Sequence, residues 1–285
     1  MPTLLDFRRR IRSVKNTQQI TRAMKFVAAA RLRRAQEAAL AARPYAKELA
    51  RVLRSTISRI AEPRHPLLAR RPEERVLALV LTGERGLAGA FNTNILRKAN
   101  ELFRANKDKK LSVIPVGKKG RDALRKAGFN LIAEYVNVLA RVEFGIVREI
   151  SNLVTDLYAK GEIDSVYLVF SEFKTVMSAN LAVEKLLPVE KMEAASGESQ
   201  TDYIYEQPAE KLLDRLLPRY VETTVLHAML ESSAAEYAAR MTAMESATKN
   251  AGEVIQALTL HMNKVRQAAI TREIIEIVSG ASSTA

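Results

Sequence analysis

Between Leu230 and Ile277 the apolar residues keep one rhythm. Leu230, Ala234, Tyr237, Met241, Met244, Thr248, Ala251, Ile255, Leu258, Met262, Val265 and Ala269 follow at alternating steps of four and three. A repeat averaging 3.5 positions keeps one stripe of a helix facing one partner, and the pair winds left-handed. Such a stripe cannot stay in water unpaired. The comparable run lies at the other end of the chain, where Val14, Thr21, Ala28, Ala35, Ala42 and Leu49 recur every seven residues, with Gln18, Leu32, Ala39, Ala46 and Leu53 four further on. The two ends are therefore expected to pair, with the middle forming a separate domain.

The N-terminal helix is expected over residues 1–60, its alanine-rich seam allowing close approach of two axes. Pro44 removes one N–H and is expected to kink the helix without ending it. At ~1.5 Å per residue it would run roughly 85 Å, too long to be covered by a domain of this size. Residues 61–74 hold Pro63, Pro66 and Pro72 and read as a linker. Residues 75–192 read as an open α/β domain. The apolar runs 75–81, 111–116 and 166–170 suit buried strands of a parallel sheet. Helices are expected at 93–106, 118–127 and 144–158, and antiparallel edge strands at 174–187. Residues 193–208 are a polar return loop. Residues 209–285 are the C-terminal coiled-coil segment, expected to be helical over 209–278 with Ser279-Gly280-Ala281 as its stop and Gly252 inside it at a cost of about 1 kcal/mol against alanine. The fold class is thus an antiparallel left-handed coiled coil of the two ends with an inserted open α/β, Rossmann-like domain.

Charge is one-sided. Residues 1–71 carry 18 Lys and Arg against 4 Asp and Glu, a net +14, whereas the whole chain is +13. A segment with so large a basic excess calls for an acidic partner: nucleic acid, anionic lipid or an acidic protein surface. No stacking aromatics or reading motif accompany it, which weakens the nucleic-acid alternative of a basic coiled-coil binder. There are no cysteines, which excludes a disulfide framework, a thiolate metal site and a cysteine nucleophile. No run reaches the ~18 apolar residues of a membrane span, and the first residues lack the layout of a secretory signal.

The loop after the first strand contains Gly83, Gly86 and Gly89. Its G-x-x-G-x-x-G spacing differs from the dinucleotide fingerprint, no Lys-Ser/Thr follows, and Glu84 would oppose a phosphate. A structural turn packed closely on a helix is the expectation there. His65, His227 and His261 are scattered, so no metal, cofactor or catalytic constellation is expected.

The run Ile20-Thr21-Arg22-Ala23-Met24-Lys25-Phe26-Val27-Ala28-Ala29-Ala30, the run Ile270-Thr271-Arg272-Glu273-Ile274-Ile275-Glu276-Ile277-Val278-Ser279-Gly280-Ala281 and the turn Gly83-Glu84-Arg85-Gly86-Leu87 resemble those of the gamma subunits of F-type ATP synthases. The resemblance spans the whole chain. It implies a central-stalk rotor coupling ion flow through a membrane ring of c subunits to ATP synthesis or hydrolysis at alpha and beta subunits. It implies no catalytic site in this chain, and no nucleic-acid partner. By that resemblance Met24, Arg8, Arg9, Arg10, Arg33, Arg34, Arg240, Arg266, Gln267, Thr271 and Glu273 face the alpha–beta hexamer, Met24 near an acidic loop of beta. Tyr203, Tyr205 and Glu206 face epsilon and the c ring. The expected location is the cytoplasmic face of a bacterial inner membrane, peripheral and not inserted.

Overall fold

The computed structural model describes residues 3–58, 60, 65–176, 178–189 and 208–283. The chain forms two compact units, one of Met1–Ala28 with Met241–Ala285 and one of Ala29–Arg240. Two long helices contribute to both: α1 (Leu4–Ser58) and α5 (Ala209–Ser283). α1 continues through Pro44. α5 runs on to Ser283, past the expected stop at Ser279-Gly280-Ala281, because one glycine costs only about 1 kcal/mol and no proline follows.

In the first unit the helices pair antiparallel. The rings of Phe7 and His261 meet at a tilt with centroids 5.0 Å apart, Gln18 meets Thr248, and Lys25 meets Glu245 at 2.5 Å. Residue numbers fall on one helix as they rise on the other. The seam positions Val14, Gln18, Thr21 and Met24 are half-buried and Ala28 is fully buried, facing a stripe in which Met244 and Ala251 are buried. One layer is polar. The Thr21 and Thr248 hydroxyls lie 2.8 Å apart, and Gln18 Nε2 donates to the Thr248 carbonyl at 3.3 Å. A polar pair on a seam costs stability but fixes register. Gly252 belongs to this layer, since a Cβ there would stand 3.1 Å from Gln18 Nε2. α1 starts with a capping box, in which the Asp6 carboxylate accepts from the Thr3 N–H at 2.9 Å and the Thr3 hydroxyl at 2.7 Å.

The second unit is built on one five-stranded sheet in the order β3-β2-β1-β4-β5. Its elements are β1 (Arg75–Leu81), α2 (Phe91–Ala105), β2 (Lys110–Val116), α3 (Lys118–Lys126), β3 (Asn130–Leu131), α4 (Phe144–Ala159), β4 (Ser165–Phe173) and β5 (Ala179–Leu187). The first four strands are parallel, and β5 is the antiparallel edge. A short 3-10 turn, Pro66–Leu68, lies in the linker. β3, only two residues long, offers no alternation for a sequence to reveal.

Strand periodicity divides the core. Leu77, Leu79 and Leu81 face α4 and segments of α1 and α5, through Leu53, Ile57, Val154, Leu217 and Val221. Ala78 and Val80 face α2 and α3, through Phe91, Ile95, Phe103 and Leu124. Burial on both faces explains why β1 reads as an unbroken apolar run.

The start of β1 is tied to the start of β4 by Asp164. Its carboxylate, nearly fully buried, accepts from the Arg75 N–H at 2.9 Å and from the Arg75 guanidinium at 3.1 and 2.7 Å. The Arg75 guanidinium holds the Asp164 carboxyl below its ordinary 3.8, against the opposing effect of burial. A depressed carboxyl stabilises the fold above its unfolded value, and that contribution disappears as pH falls through the folded value. Asp164→Asn should therefore lower the unfolding temperature at neutral pH. The gap to the parent should close below pH 3.8 in a thermal-melt series.

Candidate functional site

In open α/β sheets ligands bind beyond the carboxyl ends of the strands, where the strand order reverses. Here that point lies between β1 and β4, since β1 connects onward to β2 on one side and pairs with β4 on the other. The Gly83–Gly89 loop leaves β1 at this crevice, and α5 occupies it. Every residue from Glu231 to Ala238 is buried. Ser232 Oγ accepts from the Ser171 N–H at 3.2 Å, and Glu231 Oε2 accepts from the Phe173 N–H at 3.1 Å, both at the end of β4. Ser233 Oγ donates to the Leu139 carbonyl at 3.0 Å. Arg240 donates to the Gly86 carbonyl at 2.6 Å and pairs with Glu236.

The loop itself is satisfied from within. The Gly83 N–H donates to Asn92 Oδ1 at 2.8 Å. Glu84 reaches two backbone donors, Lys118 N at the start of α3 (3.0 Å) and Val138 N (3.2 Å). The Gly120 N–H of the same helix donates to Thr82 Oγ1 at 2.7 Å. A helix N-terminus that would suit a phosphate thus already holds a carboxylate. The glycines differ in their reasons. A Cβ on Gly83 would lie 2.9 Å from Glu236 Cδ, Gly89 has φ 54°, and Gly86 has open space around it. Gly117, at φ 105°, would put a Cβ 1.9 Å from the Thr82 carbonyl oxygen.

Burying carboxylates costs several kcal/mol each unless they are paired and hydrogen-bonded. Glu231 meets that need with Arg43 at 3.0 Å and the Phe173 N–H. Burial pushes the Glu236 carboxyl up, and Arg240 opposes the shift. Glu231, Ser232, Ser233 and Glu236 escaped the sequence reading. The available signal was a polar Glu-Ser-Ser run beside the apolar seam, which a helix pattern assigns to solvent.

The residues expected at a partner surface fall into several settings. Arg8, Arg9 and Arg10 are exposed on α1 of the first unit, and Met24 is half-buried on its seam. Arg266, Gln267, Thr271 and Glu273 are exposed on α5 in the same unit, where the Thr271 hydroxyl donates to the Gln267 carbonyl at 2.9 Å. Beyond them Ile274, Ile275, Ile277 and Val278 are more than half exposed. Arg33 and Arg34 are exposed in the second unit, Arg33 pairing with Glu37 at 3.1 Å. Arg240 differs, with a side chain only 12% exposed and its contacts in the crevice. Tyr203, Tyr205 and Glu206 lie outside the described residues. Among the described residues no cluster of His, Asp or Glu is arranged to hold a metal, and no helix is long and apolar enough to cross a membrane.

The family profile described as ATP synthase matches residues 3–284. The ATP synthase gamma chain of Pelotomaculum thermopropionicum is 47% identical over 283 residues, covering 99% of both chains. That of Solibacter usitatus is 49% identical over 287 residues, again covering 99% of both. A chain of the Euglena gracilis mitochondrial ATP synthase, from a particle described as OSCP/F1/c-ring in rotational state 3, has a TM-score of 0.69. It is 22% identical and matches across 99% of this chain and 94% of that one, so the fold is common to both. Paired terminal helices and an α/β sheet are the elements of the fold shared with that ATP synthase chain. The chain belongs to the ATP synthase gamma chains, the rotor subunits of the central stalk.

The two glycines of the loop should separate cleanly. Gly83→Ala must shift the buried Glu236 carboxyl, whose Cδ would stand 2.9 Å from the new Cβ, and should cost about 1 kcal/mol. Gly86→Ala meets nothing within 4 Å and should change stability by less than about 0.5 kcal/mol. Urea unfolding of the two variants gives the comparison.

Proposed function

We propose that this chain carries no catalytic site of its own and works by turning inside an assembly whose chemistry belongs to other subunits. The observation that carries the reading is the crevice between β1 and β4, where the place for a ligand is filled by α5. The nearest approach to a nucleotide motif, the Gly83–Gly89 loop, spends its donors and its carboxylate on internal partners.

The partners of this reading are an alternating hexamer of alpha and beta subunits around the paired helices, with epsilon and a membrane ring of c subunits at the α/β domain. It is supported by the names of the relatives and by the F1 and c ring in the description of the Euglena particle. The exposed arginines at Arg8, Arg9 and Arg10 suit an acidic protein surface. Arg33, Arg34, Arg266, Gln267, Thr271 and Glu273 are further contact candidates, and Tyr203, Tyr205 and Glu206 would serve the c ring and epsilon. The proposed location is the cytoplasmic face of a bacterial inner membrane, held there by the ring and not by insertion. The bacterial relatives support it, as does the lack of a sufficiently long apolar helix among the described residues.

The mechanism follows from asymmetry. Two unlike helices inside a pseudo-threefold ring touch each catalytic subunit differently, so each subunit is biased towards a different affinity state. Rotation moves that bias from one site to the next, and a ligand-driven change in one site pushes back on the shaft by the same coupling. Contacts along the shaft are best served by apolar sliding surfaces and long-range charge, since fixed bonds would have to break at every step.

Co-expression with alpha and beta should yield a complex that hydrolyses ATP, while the purified chain alone shows none. Turnover by the chain alone would overturn the reading. Within the assembled complex, Met24→Lys adds a charge on the half-buried seam side of α1 beside Lys25 and Glu245. Hydrolysis should persist, while ions moved per ATP fall measurably in vesicle uptake assays.

A further inference from the structure

We infer that the α5 segment Glu231–Arg240 is the torque lock of the rotor, fixing the rotational and axial setting of α5 within the α/β domain. The inference rests on the rotor reading above. It starts from a mismatch between composition and task. The α5 residues packed into the crevice include Ala234, Ala235 and Ala238, all buried. Small apolar side chains present a smooth surface, and apolar attraction is non-directional, so it offers little resistance to a helix turning about its own axis. Yet the same segment buries Glu231, Ser232, Ser233 and Glu236, where stability alone would favour apolar residues.

What these polar groups supply is direction. Ser232 and Glu231 bond backbone N–H groups at the end of β4. Ser233 bonds a carbonyl in the segment between β3 and α4, and Arg240 bonds a carbonyl in the loop after β1. The partners in these four bonds are main-chain atoms, and they belong to three separate segments of the domain. A helix advances about 1.5 Å and turns about 100° per residue, so a slip of one residue breaks every bond together. No neighbouring setting of α5 restores the set. Burial adds to the penalty, because each group left without its partner inside the crevice keeps its full desolvation cost. α5 therefore cannot turn or slide without carrying the α/β domain with it.

The cysteine-free chain makes this testable in the assembled complex. A bead attached through Lys107→Cys, an exposed position between α2 and β2, reports the torque that reaches the α/β domain during ATP hydrolysis. In that background Ser232→Ala with Ser233→Ala removes two directional bonds without stranding a charge. Ile95→Val trims the apolar cluster that Ile95 shares with Ala235 of this segment, removes none of these bonds, and serves as a control for loss of packing and stability. Each backbone bond is worth about a five-fold bias towards the seated state. The double variant should keep its ATP turnover, while stall torque at the bead falls by about half or more and the control stays at the parent value. Parent-level torque in the double variant would overturn the lock, as would an equal loss in Ile95→Val. If the double variant does not assemble, Ser232→Ala alone, which removes the single bond from the Ser171 N–H, is measured in its place; a smaller but measurable fall in stall torque is expected, and parent-level torque overturns the lock. ATP turnover by the parent complex with a motionless bead would overturn the rotor reading instead.

Discussion

The stretch of α5 from Glu231 to Arg240 lies in the crevice that an open α/β sheet normally keeps for its ligand, and the rest of the structure is arranged around that fact. Gly83 lacks a side chain because Glu236 is there. Arg240 is drawn inward to Gly86 and Glu236. Glu84 takes one backbone donor, the Lys118 N–H, at the start of α3 that an anion would otherwise meet. A domain built like a nucleotide-binding unit has its binding position occupied by its own chain, and the occupant is a helix that also belongs to the coiled coil.

Two kinds of contact hold the long helices, and they divide the work. In the coiled-coil unit the seam is apolar except for one layer, where Gln18, Thr21 and Thr248 meet beside Gly252. That layer selects a single register from the several that a small-residue seam would accept. In the α/β unit four bonds from α5 run to main-chain atoms, beside the Arg43–Glu231 pair, so specificity comes from hydrogen-bond direction and burial more than from shape. A subunit whose task is to turn needs both. Its helices must be indexed to each other, and one of them must be indexed to the domain.

Charge and exposure follow a separate logic. The basic residues of α1 other than Lys25 and Arg54 are exposed, and the apolar residues from Ile274 to Val278 are left exposed at the end of α5. The antiparallel pairing accounts for the second feature. With Phe7 opposite His261 and α1 beginning at Leu4, little of α1 remains to cover α5 beyond that point. An exposed apolar surface of this kind suits a partner that slides over it, in keeping with the family to which the chain belongs.

The sequence alone determined the elements whose signal is periodic. The heptad rows placed α1 and α5, the unbroken apolar runs placed β1, β2 and β4, and the family motifs placed the chain among the ATP synthase gamma chains. The two-residue β3 and the extension of α5 to Ser283 were invisible, one for want of length and the other because a single glycine is a weak stop. The site was less legible than the fold. Glu231, Ser232, Ser233 and Glu236 look solvent-facing in a helical pattern, and Arg240 looks like one more surface arginine. Their partners lie on β4 and in loops far away along the chain, Ser171 at a separation of 61 residues and Gly86 at 154. Local pattern carries no record of such pairings. Only the tertiary structure could decide that these side chains turn inward, because a buried polar group is tolerated only where the fold brings a backbone donor or acceptor to meet it.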